Sequence, residues 1–423
     1  MTDEPPASGT TTTGSGESRS GSLGRRGFFG ALIGAGVAGP VAVALGAAPA
    51  SAAPATRSAL PFIGRHQQGV LTPAQRAAAF VAFDVTAASR SELQQLLRTV
   101  SDRVRFLMTG GAPADLGLTA PPSDSGLLGP IVPADRLSVT VSVGASLFDS
   151  RFGLAVAKPA HLRAMDTFPN DALTREDCDG DLLLQICADN ADTVAHALRD
   201  IMRSTRGGMQ VRWRRDGFVS PPRPSGAPRN LMGFKDGSAN PDTSDAALMD
   251  RLVWTRAGGG EPAWAAGGSY HVVRQIRMLV EFWDRVSIRE QENMIGRRRD
   301  SGAPLTGSRE TDAPRYELDP TGDVIQMDAH IRLANPRTPA TADSRMLRRP
   351  YSYDAGVDRN GNLDMGLIFV TFNQDLDRQF VAVQKRLADE PLTDYISPFG
   401  GGYFFALPGA KHSGDWLGRP MFA

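Results

Sequence analysis

Apolar periodicities follow one another along this chain in the order strand, helix, strand, strand, helix, strand. After a Pro/Arg/Gly-rich segment at 220–230, much the same order returns less cleanly. That double pass predicts an α+β fold of two ferredoxin-like domains, of the dimeric α+β barrel type. Helices on one face of each sheet should leave a cavity between sheet and helices. The 423 residues, 22% charged and 41% hydrophobic, suffice to bury two modest cores. The 46 basic and 46 acidic side chains cancel, and no basic run is interleaved with aromatics. No nucleic-acid or anionic-membrane partner is therefore expected.

The elements can be justified in order. Residues 1–52 fall outside the fold. The first 24 are rich in Ser, Thr and Gly and cannot bury a core. Arg25-Arg26-Gly27-Phe28-Phe29 then opens a mildly apolar Gly/Ala-rich stretch to about Leu45, and Ala50-Ser51-Ala52 offers small residues for cleavage. This reads as a twin-arginine export signal, predicting a periplasmic, cell-envelope or extracellular protein. A membrane anchor is the weaker reading, because the Gly/Ala content keeps the run only mildly hydrophobic. That export route carries folded proteins, which suits a cofactor protein. The domains are then 53–220 and 221–423. With two cysteines, Cys178 and Cys187, there is no zinc or iron–sulfur framework. Cys187 follows a run of aliphatic residues and is expected to be a buried, free thiol.

In the first domain, Phe80 to Val85 is a short strand, and Leu93, Leu96, Leu97, Val100, Val104 and Leu107 mark an amphipathic helix over 90–108. Leu137 to Val143 alternates as a half-buried strand does, and Asp181 to Ala188 is another strand. Val194, Leu198, Ile201 and Met202 mark a second helix, and Met209 to Trp213 closes the series. In the second domain, Tyr270 to Phe282 reads as a long strand and Ser287 to Arg298 as a charged helix. Met365 to Phe372 is a buried strand; Leu376, Phe380, Val383 and Leu387 mark a helix; Gly402 to Leu407 is the last strand. Residues 300–360 interrupt this pattern as a long insertion.

The insertion holds the run Asp328-Ala329-His330-Ile331-Arg332-Leu333-Ala334-Asn335-Pro336-Arg337. A neutral imidazole is a good axial ligand for haem iron, and flanking arginines can neutralise haem propionates. Taken alone, such a histidine is more often an ordinary core or surface residue. Two further pieces change that balance: Gly233-Phe234-Lys235-Asp236-Gly237 upstream and Leu347-Arg348-Arg349-Pro350-Tyr351 downstream. Together with Phe62 to Val70 and Thr72-Pro73, these resemble the dye-decolorizing peroxidases, in particular the iron-transport-associated subgroup. The resemblance runs from about residue 60 to the C-terminus.

The resemblance implies two ferredoxin-like domains, one haem b in the C-terminal half, and peroxide-dependent oxidation of phenolic or dye-like donors. It assigns His330 as the proximal iron ligand, with Asp394 as the acceptor for its other ring N–H and Glu390 as the alternative. It assigns Asp236 as the distal acid that takes and returns the peroxide proton. Arg348 becomes the cation that stabilises charge as the O–O bond breaks, with Arg349 the neighbouring alternative. Family branches that place Asn two positions after this arginine have Pro350 here instead. Gly237, Ser238 and Ala239 are expected to let the backbone approach the haem. Asn335, Pro336 and Arg337 are expected to line it, and Arg332 to pair with a propionate.

The remaining histidines form no metal-type pair, and His66 is expected to be structural. Hydrogen peroxide and a small aromatic reductant are the implied substrates. The alternative is haem or iron handling in an uptake system, with an iron permease and an iron-binding protein as partners. A chlorite-dismutase-like enzyme is a third reading, and Asp236 with Arg348 speaks against it. Whether the chain forms a homo-oligomer stays open.

Overall fold

The computed structural model describes residues 59–258 and 260–423, so the segment read as an export signal lies outside the described residues. Strand β1 (Ala77–Val85) is buried on both faces. Ala79, Val81 and Phe83 enter one hydrophobic cluster; Ala78, Phe80 and Ala82 enter another. A strand buried both ways needs a layer on each side. One layer is the helix pair α1 (Arg90–Thr109) and α2 (Ala191–Ser204). The other is the interior of a closed barrel.

The first half supplies β1, β2 (Ser138–Gly144), β3 (Leu182–Ala188) and β4 (Met209–Phe218), in the order β2-β3-β1-β4. The second half supplies β5 (Ser269–Met278), β6 (Leu347–Arg348), β7 (Tyr351–Val357), β8 (Leu363–Asn373) and β9 (Ile396–Ala406). Its order is β9-β5-β8-β7, so each half has the antiparallel arrangement of a ferredoxin-like unit. The halves join edge to edge: Ser142, Val143 and Gly144 pair with Ala406, Phe405 and Phe404, and Phe218 pairs with Ser352. Closure removes the free edges that an open sheet would expose. The barrel interior is filled by Phe80, Trp213, Tyr351, Phe372 and Phe404, as a small barrel of this size allows.

Helix α1 begins where the Ser89 side chain accepts the Glu92 N–H at 3.2 Å, and it ends at Gly110, whose φ is +75°. Its six predicted apolar positions are all buried. On α2, Val194, Leu198 and Ile201 are buried, whereas Met202 is 41% exposed and does not belong to the buried stripe. Arg103 ties the helices together with two hydrogen bonds to Asp200, at 2.7 and 2.9 Å. Cys178 and Cys187 are both buried free thiols.

The second half departs from expectation in three places, the first being that β9 begins at Ile396, six residues before the expected start at Gly402. Strand β5 stops at Met278, because the chain turns into a short helix (Val280–Trp283) that buries Trp283 against Phe234. The insertion also ends in strand: β6 and β7 lie one after the other along the same side of β8, broken at Arg349-Pro350. They provide the strand that the sequence pattern lacks. The two tyrosines of β7 point inward while its distal end is exposed, so the apolar alternation is short. Among the described residues, no helix is long and apolar enough to cross a membrane.

Candidate active site

A cavity of about 240 Å³ lies between the sheet of the second half and its helical segments. The sheet contributes Ile276 and Met278 from β5, Leu367 and Phe369 from β8, and Ile396 from β9. Phe380, Val383 and Leu387 face them. Into this apolar space project His330, Asp236 and Arg348, which the sequence places far apart.

His330 opens a short helix (His330–Ala334). Its Nδ1 lies 2.7 Å from Glu390 Oε2, and the Glu390 side chain is 3% exposed. With Nδ1 donating to that carboxylate, Nε2 is left for a metal. Burial works to lower the His330 pKa, but the adjacent Glu390 carboxylate more than offsets it, and the net shift is upward. The carboxylate here is Glu390, not Asp394. Glu390 is the N-cap residue of a short 3-10 turn (Pro391–Tyr395) and is buried, whereas Asp394 lies within that turn and is exposed.

Asp236 sits at a bend whose backbone is fixed by its N–H donating to Pro228 O at 2.9 Å. The next residue, Gly237, has φ +116°, a conformation that only glycine adopts readily. Arg348 Nη1 comes within 3.3 Å of Asp236 Oδ1, and both side chains are mostly buried. The approach is not in line for a hydrogen bond, so Oδ1 is a buried acceptor without one. Asn240 fixes the spacing between the two: its Nδ2 donates to Arg348 O at 2.8 Å and its Oδ1 accepts the Arg348 N–H at 3.1 Å. The sequence reading missed Asn240.

Arg348 and Arg349 diverge because consecutive residues of a strand point to opposite faces. Arg348 lines the cavity, whereas Arg349 enters the barrel and donates to Thr72 O and Gln75 Oε1. Arg332 does not line the cavity. It pairs with Asp319 at 3.3 Å, donates to the Ile325 and Asp319 carbonyls, and covers the Tyr316 ring. It therefore braces the loop before His330. Ser238, Ala239, Asn335 and Arg337 line the cavity; Gly237 and Pro336 stand behind their neighbours. Arg345, also on the wall, was not anticipated. Burial and then the nearby Arg337 and Arg251 cations push its pKa down. Among the described residues neither Arg337 nor Arg345 is ion-paired with a carboxylate, so this wall has positive charge to spare. His66 is structural, stacked on Trp254 at 3.6 Å with Nδ1 against Gly267 O.

Two family models match, Dyp-type peroxidase N-terminal over residues 67–219 and C-terminal over 227–411. The chain belongs to the Dyp-type peroxidase family. Proteins of Escherichia coli and Shigella flexneri named deferrochelatase are 51% identical over 380 residues, covering 88% of this chain and 90% of theirs. Among solved structures, a DyP-type peroxidase from Cellulomonas bogoriensis aligns with TM-score 0.77 at 36% identity, over 87% of this chain and 99% of that one. Ferric DtpA from Streptomyces lividans aligns with TM-score 0.78 at 36% identity, over 87% and 98%. DyPB from Rhodococcus jostii, at 21% identity and TM-score 0.58, shares the fold.

The α+β fold of paired ferredoxin-like units, the haem b cofactor and the peroxidase activity follow from membership of this Dyp-type family. The cavity suits haem on three counts. Its walls are apolar, it presents an imidazole whose second nitrogen is anchored, and Arg337 and Arg345 offer cations to carboxylates that the chain does not supply.

Proposed function

We propose that this cavity is the peroxidase site, with His330 holding the haem iron through Nε2 and Glu390 fixing the imidazole from behind. The observation that carries the reading is the convergence of that His–Glu pair with Asp236 and Arg348 on one apolar cavity. Bound haem would supply the reduction of hydrogen peroxide and then the single-electron oxidation of phenolic or dye-like donors. Asp236, with an acceptor atom unclaimed by any hydrogen bond, takes the peroxide proton and returns it to the departing oxygen. Arg348 stays cationic throughout and opposes the negative charge that grows as the O–O bond breaks. Ser238, Ala239 and Asn335 shape the wall, and Arg337 and Arg345 take the propionates.

The test is a spectrum of haem-loaded protein followed by stopped-flow mixing with one equivalent of peroxide. His330→Ala should lose or greatly loosen the haem; an unchanged Soret band in that variant would overturn the ligand assignment.

A second reading is favoured by the name of the curated relatives, deferrochelatase, which describes removal of iron from a chelate. On that reading the chain handles haem or its iron for an uptake system, working with an iron permease and an iron-binding protein. Metal-free porphyrin fluoresces, so its appearance from supplied haem under reducing conditions supports iron release, and its absence supports peroxide chemistry. We also propose division of the chain near residue 220 and export of the protein through its twin-arginine segment. Retention of a segment 1–52 fusion in the cytosol of an export-competent host would overturn the latter.

A further inference from the structure

The stretch that carries Asp236 is clamped from both sides by one carboxylate. Glu310, in the loop that follows Gly307, accepts Lys235 Nζ on Oε2 at 2.5 Å. Its Oε1 accepts Ser238 Oγ at 2.8 Å and the Ala227 N–H at 2.9 Å. Lys235 and Ser238 bracket Asp236-Gly237, so both flanks of the acid hang on the same group. Lys235 and Glu310 are 4% and 15% exposed at their side chains, sheltered enough for the pair to resist solvent screening. Gly226 has no side chain where a Cβ would collide with the Glu310 carboxylate, so the backbone closes directly over it. Glu310 is fixed at its other end, since its carbonyl accepts buried Arg297 Nη1 at 3.0 Å.

Asp236 itself has little to hold its side chain: one ion-pair contact to Arg348, and Oδ1 without a hydrogen bond. Its aim is therefore set by the backbone on either side. Glu310 does not line the cavity, although Lys235, Asp236 and Ser238 do. It also engages the ammonium of Lys235, the residue next to Asp236 in the chain.

We propose that Glu310 is a positioning residue for the distal acid. It clamps the Lys235–Ser238 stretch from both ends through Lys235 Nζ and Ser238 Oγ. This rests on the reading of Asp236 as the proton carrier. The experiment uses the full chain loaded with haem and compares Glu310→Gln, Asp236→Asn and the double variant. Three quantities are read: haem content, the stopped-flow rate with peroxide, and hydrogen exchange of the 226–240 amides.

Glu310→Gln should keep its haem, lose about ten- to a hundredfold in the peroxide rate, and exchange faster over 226–240. The double variant should be no slower than Asp236→Asn alone, because a residue acting through the acid adds nothing once the acid is gone. Multiplying effects in the double variant would overturn the proposal. So would a Glu310→Gln rate and exchange within about twofold of the parent while Asp236→Asn is slow. An Asp236→Asn variant as fast as the parent would instead remove the role of the acid, and the proposal with it. If Glu310→Gln fails to take up haem, Ser238→Ala, which removes one partner only, carries the same comparison.

Discussion

Glu390 presents its carboxylate to His330 Nδ1 at 2.7 Å, and replacing it by glutamine removes the charge while keeping the shape. With His330 as the proposed iron ligand, loss of the anion would make the imidazole a weaker donor, so Glu390→Gln should raise the reduction potential of bound haem and weaken haem affinity by about ten- to a hundredfold. Asp394→Asn, at an exposed position, should change neither; a potential that moves in Asp394→Asn and stays put in Glu390→Gln would reverse the assignment. The sequence singles out His330, Asp236 and Arg348 because each sits in a run long enough to be matched, and the structure brings all three to one cavity. The choice between Glu390 and Asp394 is not legible in the sequence, since it depends on which way an irregular turn faces. Arg332 illustrates a sharper rule. Residues two apart on a helix do not share a face, so an arginine two positions after the cavity-facing His330 belongs elsewhere. It is found buried against Asp319.

Elements follow the same division. Helix α1 and strands β1 and β3 were readable because their apolar residues run uninterrupted and both strand faces find an apolar packing partner. Strands β6 and β7 were not, because Pro350 breaks the ladder and a bulge between Asp354 and Val357 interrupts it again. Their importance is local: the alternation of consecutive strand residues sends Arg348 to the cavity and Arg349 into the barrel. Asn240 holds this element to the distal loop with two hydrogen bonds to the Arg348 backbone. Asn240→Ala should cost about 1–3 kcal/mol, since it leaves a part-buried N–H and C=O without partners. The urea midpoint of the haem-free protein reads that cost. The haem-loaded variant should also react more slowly with peroxide as Arg348 loses its anchor. A variant as stable and as fast as the parent would show that β8 alone holds the arginine.

At the scale of the whole molecule, closing two ferredoxin-like halves into one barrel buries polar groups that an open sheet would expose. Arg349 and His271 both lie inside. His271 is fully buried on β5, with Nδ1 2.9 Å from Ser142 Oγ on β2 and its ring stacked on Phe372. It thus links the two halves from within. Burial, and then the Arg349 cation, lower its pKa from 6.5 to about 3. A base with a depressed folded pKa binds its proton only after unfolding, so below pH 6.5 the unfolded chain takes up a proton that the folded chain refuses. Stability should therefore fall with pH between about 6.5 and 3, by up to about 1.4 kcal/mol per unit from this residue. His271→Gln cannot take up that proton. It should be less stable than the parent at pH 7, where the Ser142 bond and the stacking are lost. The gap should narrow by about 2–3 kcal/mol by pH 4.5 in urea denaturation. Parallel stability curves for the two proteins across that range would mean that the barrel admits the protonated imidazole, and that its interior is less dry than the packing of Phe80, Phe372 and Phe404 indicates.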